Sequence, residues 1–185
     1  MELQHREISP RRDIIVEHYI NSKTYEREVW LAPADKEADR VLLYKHGRSV
    51  DIIFSPDEQW LVINNFLGSN EAYPVLFKRQ SGVGYNEVDH SISEKVWRLV
   101  AKDYPIVLSQ EFGHQYVEAL RWSNDSKVFL VAAFGHLDST ERQSLDPWLC
   151  IFKVDGFNLT LDLRPMNGGA MVRDRMEKAP RGPWK

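Results

Sequence analysis

Apolar residues in this chain come in short blocks of alternating or unbroken hydrophobicity, the pattern of β-strands. The clearest block is Ser49 to Phe66, SVDIIFSPDEQWLVINNF. Val50, Ile52 and Phe54 share one face of a strand, and Asp51 and Ile53 share the other. A Ser-Pro-Asp turn follows, then the apolar run Trp60 to Ile63. The chain repeats this further on, from Val117 to Phe134, VEALRWSNDSKVFLVAAF. Ser55 matches Ser123, Asp57 matches Asp125, Phe54 matches Trp122 and Phe66 matches Phe134, all at one constant separation. Two copies of one hairpin are therefore predicted.

The rest of the chain supplies further short elements. Residues 1 to 12 are a polar lead-in. Strands are predicted for Asp13 to Ile20, Glu28 to Ala32, Val41 to Lys45, Pro74 to Arg79, Ile106 to Ser109, Trp148 to Val154 and Phe157 to Leu163. Pro74 is expected to start its strand, because proline cannot donate to a central ladder. Ser81 to Tyr85 is a Gly-containing break, and Asp155-Gly156 is a hairpin-turn signal. One stretch differs in character. Ser91-Ile92-Ser93-Glu94 fits a capping box, and Ile92, Val96, Leu99 and Val100 follow at helical spacing. An amphipathic helix is predicted over Ile92 to Asp103, with a strand from Lys95 to Val100 as the competing reading. Pro105 ends it. Arg164 to Lys185, rich in Gly, Pro and charge, reads as a tail. The organisation is thus one domain over 13–163, made of two repeats (13–80 and 106–163) joined by a helical segment (86–104).

Composition narrows the function classes. A chain of 185 residues, 43% hydrophobic and 28% charged, buries a core without needing disulfides or a metal. The net charge of −3 gives no basic excess for phosphate, so no nucleic-acid partner is expected. Six Trp, seven Tyr and eight Phe are first of all core material, with Trp60, Trp97, Trp122 and Trp148 assigned to the interior. Cys150, the single cysteine, sits in an apolar run and reads as a buried, inert thiol. No run approaches a membrane span of about 20 residues, and the N-terminal stretch has no h-region. A cytoplasmic location is expected, with a processed secreted chain as the alternative.

The turn residues carry a family resemblance. Gly113-His114, Val117, Leu120, Trp122, Ser123 and Asp125, followed by an apolar strand, resemble the first half of a WD40 blade. Ile53-Phe54-Ser55-Pro56-Asp57 with Trp60-Leu61-Val62 resembles the WD40-like repeat of bacterial β-propellers. The likeness covers about residues 41 to 80 and 106 to 155. The Trp-Asp dipeptide is absent, and Lys45 stands where the repeat has Gly before His46. The resemblance implies a mainly β fold of two antiparallel, propeller-blade-like sheets with one short covering helix. It also makes His114, and His46 at the equivalent place, structural positions. A closed propeller needs four or more blades. Two blades must therefore be covered by a second chain, by the helix and tails, or by packing as a sandwich.

The chain has no phosphate loop, no His-Glu-x-x-His, no Gly-x-Ser-x-Gly and no Cys-x-x-Cys. Titratable residues cluster at Asp89-His90, Glu111-x-x-His114 and His136-x-Asp138. No cofactor or metal is expected. Ser55, Asp57, Ser123 and Asp125 are read as turn formers. The leading functional reading is a non-catalytic interaction module whose loops, Asn65 to Tyr73 and Gly135 to Pro147, meet a protein partner or a second copy in a homodimer. The residues assigned to that contact are Asn65, Asn70, Glu71, Tyr73, His136, Asp138 and Arg142. Two alternatives compete: an inhibitor or immunity-type protein for one cognate enzyme, and a small propeller-type enzyme. The enzyme would draw its site from His46, Glu111, His114, His136 or Asp138.

Overall fold

A computed structural model describes residues 1–103, 114–136, 144–155 and 158–162. Among these described residues the fold is mainly β, with two sheets and one helix. Strands β1 (Glu2–Ile8), β2 (Ile14–Ile20), β3 (Arg27–Pro33) and β4 (Val41–His46) form a four-stranded antiparallel sheet in chain order, with one helical turn at Glu37–Asp39 before β4. The second sheet contains two further antiparallel meanders. One is β5 (Ser49–Phe54), β6 (Trp60–Phe66), β7 (Glu71–Ser81) and β8 (Gly84–Asp89). The other is β9 (His114–Trp122), β10 (Val128–His136), β11 (Ser144–Asp155) and β12 (Asn158–Asp162). They join only where β7 and β9 run parallel, at Glu71 opposite Gln115 and Ala72 opposite Tyr116. Residues 13–80, expected as one repeat, are therefore divided between the two sheets. Three successive four-stranded meanders packed face to face give the fold its propeller-like character.

Strand β6 explains the stacking. Leu61, Val62 and Ile63 are fully buried, and Trp60 nearly so. Leu61 and Ile63 face the first sheet and pack with Ile14, Val16, Val29, Leu31, Val75 and Phe77. Trp60 and Val62 face the opposite way, into a core with Leu76, Val117, Trp122, Phe129, Val131, Trp148, Cys150 and Phe152. Helix α1 (Ile92–Asp103) closes this second core with Ile92, Val96, Leu99 and Val100, the residues whose spacing predicts it. Its N-terminus differs from the expected capping box. The Ser91 hydroxyl and N–H both donate to Asp89 Oδ1, each at 2.7 Å, and Glu94 pairs with Arg98. Asp89, at the end of β8, thus takes the Ser91 N–H that a capping box would give to Glu94.

Three other elements depart from expectation. The polar lead-in contains β1, exposed along its whole length. The β2 ladder holds it, along with bonds such as Glu7 to His18 at 2.9 Å. Pro74 lies inside β7 rather than at its start. β9 pairs with β7 only at residues 71 and 72, and β8 only from Leu76, so the proline occupies the interval between. The Gly-containing break is the tight turn of the β7–β8 hairpin, where Gly82 takes a positive φ of 53°. β8 itself, GYNEVD, has too few apolar residues to announce a strand.

The two matched hairpin turns have one geometry. The Ser55 hydroxyl donates to Asp57 at 2.6 Å and accepts from the Trp60 N–H at 3.0 Å. The Ser123 hydroxyl donates to Asp125 at 2.6 Å and accepts from the Val128 N–H at 3.1 Å. Each turn then places a non-glycine residue at positive φ, Glu58 at 56° and Ser126 at 58°. The turns also touch, since the Asp57 N–H donates to the Ser126 hydroxyl at 3.1 Å.

Polar side chains clasp the meanders together at depth. Asn64 Nδ2 donates to the Ala119 carbonyl and the Ala119 N–H returns a bond to Oδ1, both at 2.8 Å. Trp122 Nε1 donates to the Ile53 carbonyl at 3.0 Å. Fully buried Glu58 accepts the Arg11 N–H at 2.7 Å and lies 3.6 Å from Arg79. At the same seam, burial and then the charges of His18 and Arg27 push the half-buried His46 imidazole down to about 4.

Asn64→Ala removes both bonds of its clasp and leaves the Ala119 N–H and carbonyl buried without partners. A loss of about 2 kcal/mol is expected, read as a lower urea midpoint at an unchanged slope. His46 makes a second prediction. Its folded pKa lies below that of an unfolded histidine, so its contribution is intact above about pH 6.5. As the pH falls from there towards about 4, the unfolded chain takes up the proton first and stability declines. Urea midpoints across this window should fall less steeply for His46→Gln than for the wild type. Parallel curves would show that His46 takes no part.

Candidate functional site

The residues assigned to a partner contact separate into three groups. Asn65 is buried, which corrects its placement in an accessible loop. It belongs to β6, where its Nδ2 donates to the hydroxyls of Tyr44 at 3.1 Å and Tyr73 at 2.8 Å. Asn70 stays in the turn between β6 and β7. Its side-chain oxygen accepts the Ser69 hydroxyl at 2.7 Å, and its carbonyl accepts the Gln115 N–H at 2.8 Å. Glu71 and Tyr73 open β7 and stand on the wall of a groove. His136 ends β10, in register with His114 on one side and Ser144 on the other. Asp138 and Arg142, like Glu111, lie outside the described residues.

The groove consists of two adjoining hollows of about 390 and 530 Å³ that share Glu71, Ser93 and Glu94. Trp97, Arg98 and Gln115 line the first hollow. Tyr44, Tyr73, Glu87 and His90 line the second. The sequence builds it simply. α1 starts directly after β8, and its first polar turn faces the opening residues of β7. Sequence reasoning assigned Trp97 to the interior, yet it is only partly buried and stands at the rim. Ser93 and Glu94 were visible only as capping residues. The signal that bears on them is the amphipathic helix itself, whose polar face has to point at something.

Negative charge predominates here. Glu71 makes no side-chain hydrogen bond or ion pair among the described residues. Glu87 is bonded to His90 at 2.9 Å, and Glu94 pairs with Arg98. The Ser93 hydroxyl oxygen is shielded from solvent and has no protein partner. Burial, and then the bond to Tyr73, push the Tyr44 phenol up, so it stays protonated. The arrangement therefore presents carboxylates and neutral hydroxyls around aromatic rings. It suits a cationic group, held by charge and by contact with a ring face.

Of the histidines proposed for an enzyme, His46 and His114 have different surroundings. His46 lies at the seam of the first sheet and β5, whereas His114 Nδ1 is 2.8 Å from the Ser69 carbonyl at the β7–β9 junction. His114 and His136 lie in register on the neighbouring strands β9 and β10. Among the described residues no three His, Cys, Asp or Glu side chains converge to hold a metal ion. Cys150 is buried, and burial pushes its thiol up to about 12. No described helix is long and apolar enough to cross a membrane.

No family model and no curated protein matches the sequence. Solved structures do. The β-propeller domain of the Trilobed protease from Pyrococcus furiosus aligns over 88% of this chain and 44% of its own, at 12% identity and a TM-score of 0.49. TolB from Acinetobacter baumannii aligns over 86% of this chain and 32% of its own, at 12% identity and a TM-score of 0.43. A putative TolB from Agrobacterium tumefaciens aligns over 87% and 49%, at 13% identity and a TM-score of 0.41. The chain thus spans less than half the length of each. The likeness concerns the fold, which the three stacked meanders establish independently.

Proposed function

We propose that this protein is a non-catalytic interaction module whose groove beside α1 receives an extended, basic segment of a protein partner. The observation that carries this reading is the convergence of three carboxylates, Glu71, Glu87 and Glu94, with Tyr44, Tyr73 and Trp97 on one open groove. Glu71 contributes most, because its carboxylate is exposed and has no side-chain partner to give up. A lysine or arginine arriving there exchanges water for a carboxylate and a ring face. Such a contact is worth about 0.5–1 kcal/mol at an exposed ring and more when water is excluded. Several such contacts along a segment add up to useful affinity, and rings at the centre of a contact carry much of its energy. Residues 65 to 73 belong to the structure of the groove as well as to its surface, since Asn65 fixes both tyrosines from below.

Fluorescence anisotropy with labelled peptides tests the reading. Lysine- and arginine-rich peptides are expected to bind, and acidic peptides of equal length are not. Binding should weaken as salt is raised, because the charges involved are exposed. Glu71→Lys, a change at an exposed position, should reduce affinity about tenfold or more, since it replaces attraction with repulsion at the centre of the groove. Equal binding of acidic and basic peptides, or an unaltered affinity for Glu71→Lys, rules the groove out.

A further inference from the structure

A second cavity, of about 300 Å³, opens at the seam between the first sheet and β5. It lies apart from the groove and shares no lining residue with it. Charged side chains of both signs line it, and several of them are unengaged. The guanidinium groups of Arg27, on β3, and Arg48, in the β4–β5 turn, make no hydrogen bond or ion pair among the described residues. Arg48 is nevertheless placed, because its guanidinium lies over Gly68, where a Cβ would come within 3.5 Å of its Cζ. The carboxylate of Asp51, on β5, is likewise without a hydrogen-bonded or ion-paired partner. Glu7, by contrast, is occupied by His18 at 2.9 Å.

Unpartnered groups of both signs face the one cavity. Asp51 lies close enough to Glu7 to feel its negative charge, and also feels His18. His46 feels His18 and Arg27. His18 is thus within electrostatic reach of Glu7, Asp51 and His46. Both ring nitrogens of His46 are shielded from solvent and have no partner, a state that calls for an explanation in a folded protein. A lone anion seated on the two arginines would face Asp51, and a lone cation on Asp51 would leave both guanidinium groups unanswered. A molecule carrying both charges answers both.

We propose that this cavity binds a small zwitterion, a free α-amino acid, with its carboxylate on Arg27 and Arg48 and its ammonium group on Asp51. The volume stands at the lower limit of ligand pockets, about 300–1,000 Å³, which selects a single small molecule. Arginine is suited to the carboxylate end because its planar fork grips both oxygens. The site is independent of the peptide groove, and either holds if the other fails.

The test is an NMR titration of the full isotope-labelled chain. The probes are the individual L-amino acids, with propionate and ethylammonium as single-charge controls, each up to about 10 mM. At least one amino acid should shift the backbone signals of His18, His46 and Asp51. Both controls should bind about tenfold more weakly or not at all. Arg48→Ala and Asp51→Asn, both at exposed positions, should each weaken binding about tenfold while the remaining spectrum keeps its dispersion. Arg48→Lys should fall between Arg48→Ala and wild type. The proposal is overturned if no amino acid moves these signals, or if propionate or ethylammonium binds the wild type as well as the amino acid does. The controls act on unmodified protein, so the outcome does not hang on whether a variant folds.

Discussion

Strand β6 is apolar on both faces, and a strand of that kind has to be covered twice. Leu61, Val62 and Ile63 are completely buried, and each such side chain contributes about 2 kcal/mol by leaving water. Stripping either face would forfeit several kcal/mol, a large part of a total stability of about 5–15 kcal/mol. A flat sheet with one wet side is therefore closed to this sequence. The first sheet covers one face, and the β9–β12 meander with α1 covers the other. β10 repeats the pattern, with Phe129, Val131 and Ala133 on one face and Leu130 and Ala132 on the other. Stacked meanders follow from these two strands.

Stacking by apolar contact alone leaves the angle between meanders loosely set, because hydrophobic burial has no direction. The buried polar residues supply direction. Asn64 bridges to the backbone of Ala119 with two bonds, so a side-chain amide stands in for a strand partner where β9 departs from β7. Asn65 ties Tyr44 of the first sheet to Tyr73 of the second, and Glu58 holds the backbone of Arg11. Each clasp works only if every member is placed, since an unpaired polar group in these seams costs about 1–3 kcal/mol. The same bonds position the functional surfaces. Asn65 sets the two tyrosines of the groove, and the seam that Glu58 anchors also contains the second cavity.

What the sequence discloses divides along physical lines. The repeated hairpin and α1 were legible because their signals are local: a Ser-x-Asp turn between apolar runs, and a helical period ended by proline. β1 and β8 were not, since ELQHREI and GYNEVD carry no apolar period and are strands only because a neighbour offers them a ladder. The division of residues 13–80 between two sheets was hidden for a related reason. Gly47-Arg48 ends one sheet and begins the next with no change in composition. At the groove, Glu71 and Tyr73 could be picked out as residues flanking a turn. Trp97 and Ser93 could not, because their role depends on where α1 lies relative to β7, a long-range fact that no spacing encodes. Asn65 shows the opposite error, a polar residue assigned to a surface that its neighbours close over.

The two outer faces of the described meanders differ in chemistry. The outer face of the first sheet is a finished polar surface. Buried Glu17 receives Arg6, Arg40 at 3.3 Å and the Tyr19 hydroxyl at 3.0 Å. Burial pushes its carboxyl up, but these bonds outweigh burial and hold it below the usual carboxylate range. Arg40 also lies 5.2 Å from the Tyr19 ring and 5.1 Å from the Trp30 ring. The other face of the β9–β11 meander is apolar and closed instead: Leu130, Ala132 and Leu149 are buried, with Leu120, Phe134 and Ile151 packed against them. Any surface laid on the outer face of the first sheet would strip water from the half-exposed Arg6 and Arg40, at a cost of several kcal/mol for each ion it leaves without a new partner. A partner for the first sheet must therefore answer these charges, by the same desolvation physics that holds the interior together.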